Sequence, residues 1–241
     1  MHIHQYFFFA LGILLVSSAS GVDIKPTVTK AENFVPKGWK LFSITHGDLN
    51  RDGKKDAVLV IQQTGEKKII RDNKRQHPEV RDTNPRALLI AFKKGNAYKL
   101  VLKNEKILPG QDDAESRCSE DVLNENGGGI EISGGNLLVI RFQYGTPCGG
   151  MGTINLHRYT FHHQKNRFKL IGFSQYYQRG SNETQTSIDY SSGKKLIVSE
   201  DISDENSKPV KQWSRLKTRR TYDLQALDYG MLEAIISGKT F

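Results

Sequence analysis

Oxygen-bearing side chains at regular spacing mark THGDLNRDGKKDAVLVI, residues 45–61, as a candidate metal-binding loop. Counting from the aspartate of GDLN as position 1, carboxylates stand at positions 1, 5 and 9, an amide at 3, a glycine at 6 and a backbone carbonyl at 7. Ca²⁺ prefers roughly six to eight hard oxygen ligands, and glycine allows the bend that brings them together. The spacing therefore predicts a structural calcium site with the ligands Asp48, Asn50, Asp52, the carbonyl of Lys54, and Asp56.

Two other interpretations of this loop can be weighed from the sequence. An EF-hand needs a bidentate Glu at position 12 and a helix on each side. Position 12 is Leu59, inside the apolar run 57–61, which excludes an EF-hand. A turn that binds no ion is the second alternative, because Asp, Asn and Gly favour turns by themselves. Three carboxylates brought together without a cation would repel one another, which favours calcium.

The stretch Gly47 to Ile61, with aspartate at position 9 followed at once by a strand-like run, resembles the calcium loop of FG-GAP and VCBS repeats. The resemblance extends loosely to the next hairpin, residues 88–98. It implies that the loop joins strands of a propeller-blade-like unit and that the five residues named above are ligands. No second DxNxDG loop occurs in the sequence, so a propeller of several blades is not expected. The wider arrangement is similar to exported bacterial β-rich proteins with one such loop and a following β meander.

Short apolar or β-branched runs separated by turn signals predict an antiparallel β structure. The connections KGN (94–96), SGGN (133–136), QKN (164–166) and SSG (191–193) are short, which indicates hairpins instead of helix-linked parallel strands. The predicted strands are 57–62, 86–93, 98–103, 130–133, 137–143, 154–162, 167–173, 186–190, 194–200 and 214–223. Residues 64–85, 111–128 and 201–212 look irregular, and the first of these is either mobile or a long charged hairpin.

Apolar residues at helical spacing near the C-terminus predict one short helix. They are Leu224, Leu227, Met231 and Ile235, after a potential cap at Asp223. Gly230 interrupts this pattern and Gly238 would end the helix. The expected fold is mainly β: an antiparallel meander with propeller-blade-like hairpins and a short C-terminal helix packed on the sheet.

The first 21 residues, MHIHQYFFFALGILLVSSASG, contain an apolar core followed by small residues. An apolar core of about ten residues is too short to span a bilayer and is typical of a cleaved secretory signal peptide. An uncleaved anchor is the alternative. We therefore expect a signal peptide at 1–21 and a single β-rich domain at 22–241, without a transmembrane segment, in the periplasm or outside the cell.

Cys118 and Cys148 are the two cysteines of the chain. An oxidising compartment permits a disulfide, and closing this loop would stabilise the fold by roughly 3 to 4 kcal/mol in the chain-entropy model. Two buried free thiols or a share in a metal site are the alternatives. We expect a Cys118–Cys148 disulfide.

The formal net charge of +9 lies entirely after residue 21. A basic domain suits an anionic partner, although a well-solvated surface explains the charge equally well. Arg215, Lys217 and Arg219 alternate along the predicted strand 214–223, which would place three positive charges on one face. With Lys211 and Arg220 they form the predicted anionic-partner patch.

The function expected from the sequence is that of a non-catalytic binding or structural protein of the cell envelope or the exterior. No nucleophile, base and orienting group can be assembled from the sequence. An envelope protein or an anionic glycan is the expected partner, and nucleic acid is not. Tyr176, Tyr177 and Trp213 are candidates for a sugar-stacking surface, with core or cross-strand packing as the alternative. The alternative functions are an inhibitor or immunity protein against an envelope-targeting enzyme or toxin and, less favoured, a hydrolase of an envelope polymer.

Overall fold

The computed structural model describes residues 21–72, 79–111, 121–123, 127–134, 136–145, 153–217 and 220–236. They form fourteen β-strands, one α-helix and two short 3₁₀-helices. The strands are β1 (Thr27–Val28), β2 (Trp39–Gly47), β3 (Asp56–Gln63), β4 (Ile69–Asp72), β5 (Glu79–Asp82), β6 (Arg86–Lys94), β7 (Ala97–Asn104), β8 (Gly129–Ser133), β9 (Leu137–Gly145), β10 (Thr153–Gln164), β11 (Arg167–Arg179), β12 (Asn182–Asp189), β13 (Lys194–Asp201) and β14 (Val210–Arg215). The α-helix α1 spans Tyr229–Ile236, and the 3₁₀-helices span Ala31–Phe34 and Glu66–Lys68.

The strands form two large antiparallel sheets and one separate hairpin. Sheet I has the order β1-β7-β6-β3-β2, and sheet II is a seven-stranded meander with the order β14-β13-β12-β11-β10-β9-β8. Among the described strands, β4 and β5 pair only with each other. Left-handed backbone at Lys165 and Asn166, with φ of 49° and 62°, forms the two-residue turn between β10 and β11. Similarly short turns join β11 to β12 and β12 to β13, whereas the eight residues 202–209 join β13 to β14.

Strands β3 and β6 lie inside sheet I and are almost continuously apolar. Successive side chains of a strand point to opposite faces. Val58 and Val60 pack towards sheet II, whereas Leu59 and Ile61 pack against the N-terminal segment that contains Phe34. Burial of both faces explains why these strands show no alternation of apolar and polar residues.

The larger core lies between sheets I and II. Alternate residues of β9, β10 and β11 supply its sheet II side: Leu138, Ile140, Phe142, Tyr159, Phe161 and Phe173. Helix α1 adds Leu232 and Ile235 to the same core. On the opposite side of sheet II, none of the outward-pointing residues of β10 to β14 is buried. Sheet II therefore has one core face and one outer face.

The structure confirms the predicted fold class, a mainly antiparallel β protein with one short C-terminal helix. The first nine predicted strands each overlap an observed strand. The tenth prediction, 214–223, is confirmed at Ser214 and Arg215, which belong to β14, whereas the described residues 216, 217 and 220–223 belong to no strand. Strand β13 begins at Lys194, which pairs with Arg215, so β14 ends where its partner strand begins. Asp223 forms an isolated bridge with Lys169.

Three further segments differ from the sequence prediction. Strand β2 was not expected, and the stretch 64–85 contains the charged hairpin β4–β5. Residues 210–212, expected to be irregular, belong to β14. The helix begins at Tyr229 and is capped by Asp228 instead of Asp223, and Asp228 Oδ1 accepts the Met231 amide at 2.7 Å.

Within the described part of the chain, no helix has the length and apolar character needed to cross a membrane.

Candidate functional site

The predicted calcium loop connects β2 to β3, and its backbone folds around the Asp48 carboxylate. Asp48 Oδ1 accepts the Arg51 amide at 2.6 Å and the Asp52 amide at 3.2 Å, and Oδ2 accepts the Gly53 amide at 2.8 Å. Arg51 and Gly53 have φ of 64° and 78°, in the left-handed region. Gly53 takes this conformation without the penalty that a side chain would add. The tight bend predicted from the glycine is present.

The next two polar side chains of the loop form Asx turns with their own backbone. Asn50 Oδ1 accepts the Asp52 amide at 2.9 Å, and Asp52 Oδ1 accepts the Lys54 amide at 3.0 Å. Lys94 Nζ lies 3.6 Å from Asp52 Oδ2. Desolvation acts to raise the pKa of Asp52, but hydrogen bonds from Lys54 and Asn50 and the charges of Lys54 and Lys94 hold it below the usual value. Asp52 is therefore ionised at neutral pH.

Asp56, the last predicted ligand, is fully buried at the start of β3. Its Oδ2 accepts the Leu49 amide and its Oδ1 accepts the Lys93 amide, both at 2.9 Å. Burial raises the pKa of Asp56, the two amides oppose that shift, and the negative charges of Asp52 and Asp48 add to it. A buried carboxylate beside two others is the group that a nearby cation would stabilise most.

The loop also contacts both sheets. Asp56 reaches Lys93 at the end of β6 in sheet I. The side chain of Asn136, in the turn before β9, donates to the Asp48 carbonyl, and Arg51 Nη2 lies 3.1 Å from His162 Nε2 on β10. Burial and the Arg51 charge lower the pKa of His162, so a neutral ring can accept this contact. The loop is thus a junction between sheets I and II.

The five predicted ligands offer carboxylate, amide and carbonyl oxygens, which are the donors that Ca²⁺ prefers. In the described residues, no group of three or more His, Cys, Asp or Glu side chains has an arrangement that could hold a metal ion. The loop oxygens instead accept backbone amides. A carboxylate oxygen has a second lone pair and can accept an amide while it coordinates a cation. The donor chemistry fits Ca²⁺, and the hydrogen bonds also fit a turn closed by its own amides.

The predicted anionic-partner patch is only partly continuous. Lys211 and Arg215 lie on β14 and are exposed, with Trp213 between them on the same face. Lys217 follows the end of the strand, so strand alternation does not place it on the same face as Arg215. Arg220 is exposed near α1, and Arg219 lies outside the described residues. Cys118 and Cys148, the predicted disulfide, also lie outside them.

The outer face of sheet II is a candidate binding surface that sequence reasoning did not assemble. Pairing between strands aligns two rows of side chains across β9 to β14. The first row is Arg141, Arg158, Ser174, Ser187, Leu196 and Trp213. The second row is Gln143, Leu156, Tyr176, Gln185, Val198 and Lys211. We call these two rows the outer strip, and neither row contains Asp or Glu.

One end of the outer strip forms a depression of about 330 Å³. Its lining includes Arg141, Arg158 and Tyr176. Glu131 Oε1 lies 2.8 Å from Arg158 Nη2, and its Oε2 lies 3.5 Å from Arg141 Nη1, so one carboxylate is shared by two guanidinium groups. Buried Arg141 Nε and Gln143 Oε1 have no hydrogen-bond partner among the described residues. This end of the strip has an excess positive charge and unused hydrogen-bonding capacity.

A second polar cluster, between sheet II and α1, was also missed by sequence reasoning. Tyr144 Oη lies 2.8 Å from Tyr229 Oη and donates to Glu233 Oε1 at 2.9 Å. Glu233 Oε1 lies 3.5 Å from Nδ1 of the buried His157, which is longer than a good hydrogen bond. Burial acts to raise the pKa of Glu233, but His157 and the Tyr144 hydroxyl more than offset it, and the pKa lies below its usual value. The cluster anchors α1 to the core face of the sheet.

No protein-family model matches the chain, and neither a curated protein nor a solved structure matches it significantly.

Proposed function

We propose that the protein is an exported, calcium-stabilised, non-catalytic binding or structural protein that acts in the cell envelope or outside the cell. The observation that carries the proposal is the position of the loop, which contacts Lys93 of sheet I and Asn136 beside sheet II. A cation bound there would stabilise the junction of the sheets and leave the outer face of sheet II open to a partner. The apolar segment within residues 1–21 and the cysteine pair support export.

Electrostatics supports a cation in the loop. Asp56 is buried, and its pKa is raised by that burial and by the negative charges of Asp52 and Asp48. A divalent cation would reverse that shift and stabilise the ionised form. Ligand linkage would then stabilise the folded protein over the unfolded chain.

Calorimetric titration of the chelator-treated protein with Ca²⁺ tests the calcium proposal. Wild type is expected to bind a single Ca²⁺. Asp52→Asn keeps the Oδ1 that accepts the Lys54 amide but removes a ligand charge, so binding should weaken strongly. Asp201→Asn is the matched control, because Asp201 accepts the Ser203 amide in an exposed turn far along the chain from the loop. Absence of binding by wild type, or equal binding by Asp52→Asn, contradicts the proposal.

Recovery of a partner from envelope extract tests the binding role. A protein or glycan recovered in stoichiometric amount on immobilised wild-type protein supports it. Turnover of peptidoglycan or phospholipid by the purified protein, lost when Arg158 in the depression is replaced, would contradict a non-catalytic role.

An inhibitor or immunity protein is the second candidate, favoured by the exposed edge strand β14. All six residues of this strand are exposed, with Val210 at 58% and Trp213 at 67%. An edge strand can add a strand from a partner through its free backbone groups. A one-to-one complex with an envelope-targeting enzyme, together with loss of that enzyme's activity, would support this candidate over the first.

A further inference from the structure

The outer strip has a charge distribution suited to an anionic chain. Arg141 and Arg158 stand at its β9–β10 end and Lys211 at its β14 end. Lys194 and Arg215 lie opposite each other on β13 and β14, beside Trp213, and add positive charge at the β14 end. The two rows contain no carboxylate of their own, so an anion lying along them meets cations at both ends. The neighbouring carboxylates lie beside the rows: Glu131 contacts Arg141 and Arg158, and Glu183 accepts the Tyr176 hydroxyl at 3.1 Å.

The middle of the strip has a different chemistry. Ser174, Ser187 and Gln185 supply hydroxyl and amide groups, and Leu156, Tyr176, Leu196 and Val198 supply partly exposed apolar surface. Trp213 is 67% exposed and borders a second depression with Lys194 and Arg215. Aromatic rings with a polar edge bind groups that have an apolar face and polar substituents. Sugar rings have that combination of C–H faces and hydroxyl groups.

The dimensions suit an extended ligand. Six strands cross the strip, and five spacings of about 4.8 Å give a length of roughly 24 Å. The depression of about 330 Å³ at the arginine end is large enough for a single ring. The two guanidinium groups there share one carboxylate, Glu131, and can therefore bind a further carboxylate through charge-assisted hydrogen bonds.

Other classes of partner fit this face less well. A peptide that adds a strand needs a free sheet edge, whereas the backbone along the strip from β9 to β13 is already paired on both sides. A nucleic acid needs closely spaced cations along its phosphates, and the middle of the strip has none.

We propose that the outer strip binds a linear polysaccharide that carries carboxylate groups, with its acidic units at the two cationic ends and its rings over Tyr176 and Trp213. This inference rests on the proposed binding function and names its ligand class.

Calorimetry or affinity electrophoresis with hyaluronate oligosaccharides, in which carboxylate-bearing rings alternate with neutral rings, tests the proposal. Wild type is expected to bind them, with affinity that falls as salt increases. Arg158→Gln and Trp213→Ala should each weaken binding by about tenfold, as expected for an arginine or tryptophan that contacts the ligand directly. Two control variants separate the strip from general effects. Val210→Ala removes an exposed apolar group from the opposite face of β14, and Arg179→Gln removes an exposed positive charge at the end of β11. Both controls should change affinity by less than about twofold.

Three outcomes would overturn the inference. They are no binding of hyaluronate by wild type, equal losses in Arg179→Gln and Arg158→Gln, and equally tight binding of poly-glutamate or neutral dextran. The folded state of each variant is checked by circular dichroism, so loss of binding is not confused with unfolding. If wild type binds no hyaluronate but recovers a stoichiometric protein partner from envelope extract, this inference fails while the proposed binding function stands.

Discussion

Replacement of Asp56 by alanine is expected to destabilise the protein more than any other substitution in the loop. The buried carboxylate accepts two backbone amides, from Leu49 and Lys93, each at 2.9 Å. A buried donor left without a partner costs about 1 to 3 kcal/mol. Removing a carboxylate whose pKa is raised by burial offsets part of that loss. The net loss should be about 2 to 5 kcal/mol, or roughly 4 to 20 °C in Tm for a chain of this size.

Urea unfolding in the presence of chelator measures this loss without any contribution from Ca²⁺. Intrinsic fluorescence can follow the transition, because Trp39 lies on β2, close to the loop in sequence. Asp201→Ala is the control: it also removes an acceptor of a backbone amide, but the Ser203 amide is exposed and can bind water instead. If Asp56→Ala loses no more stability than Asp201→Ala, then Asp56 does not hold the loop against sheet I and the reasoning is refuted.

Three other predictions follow from the same contacts. Ca²⁺ at one hundred times its Kd should stabilise wild type by about 2.7 kcal/mol, which corresponds to a rise of roughly 5 to 11 °C in Tm. The Tm of Asp52→Asn should rise very little under the same conditions. An equal rise in both proteins would argue against the loop site. The pKa of Glu233 is lowered in the folded state, so its contribution to stability is present above the unfolded pKa near 4.5 and is lost as pH falls through the folded pKa. Glu233→Gln should therefore flatten the fall in urea midpoint in that acidic range, and an unchanged profile would contradict the assigned contacts. Arg86 is buried, pairs with Asp121 and places its guanidinium carbon 4.3 Å from the centroid of the Phe42 ring. Arg86→Met should therefore lower the free energy of unfolding in urea by about 3 kcal/mol. An unchanged free energy of unfolding would show that the pair adds no net stability.

Local signals in the sequence were sufficient to predict the meander. Lys165-Asn166 and Gly193 have positive φ in the structure, and both lie in turns identified from composition. The apolar run of β3 was recognisable because it is buried on both faces. The acidic loop was also readable, because its side chains interact with amides only a few residues away.

Strand β2 shows where the local signal fails. Its residues WKLFSITHG are partly exposed without regular alternation, and a bulge between Leu41 and Ser43 shifts its register. The end of β14 is set by the start of β13 and not by its own residues. Neither feature can be derived from the composition of the strand itself.

The outer strip and the Glu233 cluster depend on tertiary structure for a different reason. Arg158 and Trp213 share a row only because four intervening hairpins have a particular register. Glu233 meets Tyr144 only because α1 packs on the core face of sheet II. Since a shift of one residue in a strand moves every side chain to the other face, sequence spacing alone cannot assign such sites.

The contacts of the acidic loop place the proposed cation site away from the outer strip, the surface proposed to bind a polysaccharide. Leu49 is part of the core between the sheets, and Asp56 is buried against the backbone of β6. No residue of the loop belongs to the outer strip. A cation bound by the loop therefore acts on the free energy of unfolding, by holding sheets I and II together, and contributes no ligand contact. Arg141 and Arg158 point away from the core on strands whose inward residues, Phe142 and Tyr159, pack inside it. The outer strip therefore lies on strands whose other face packs in the core that the loop borders.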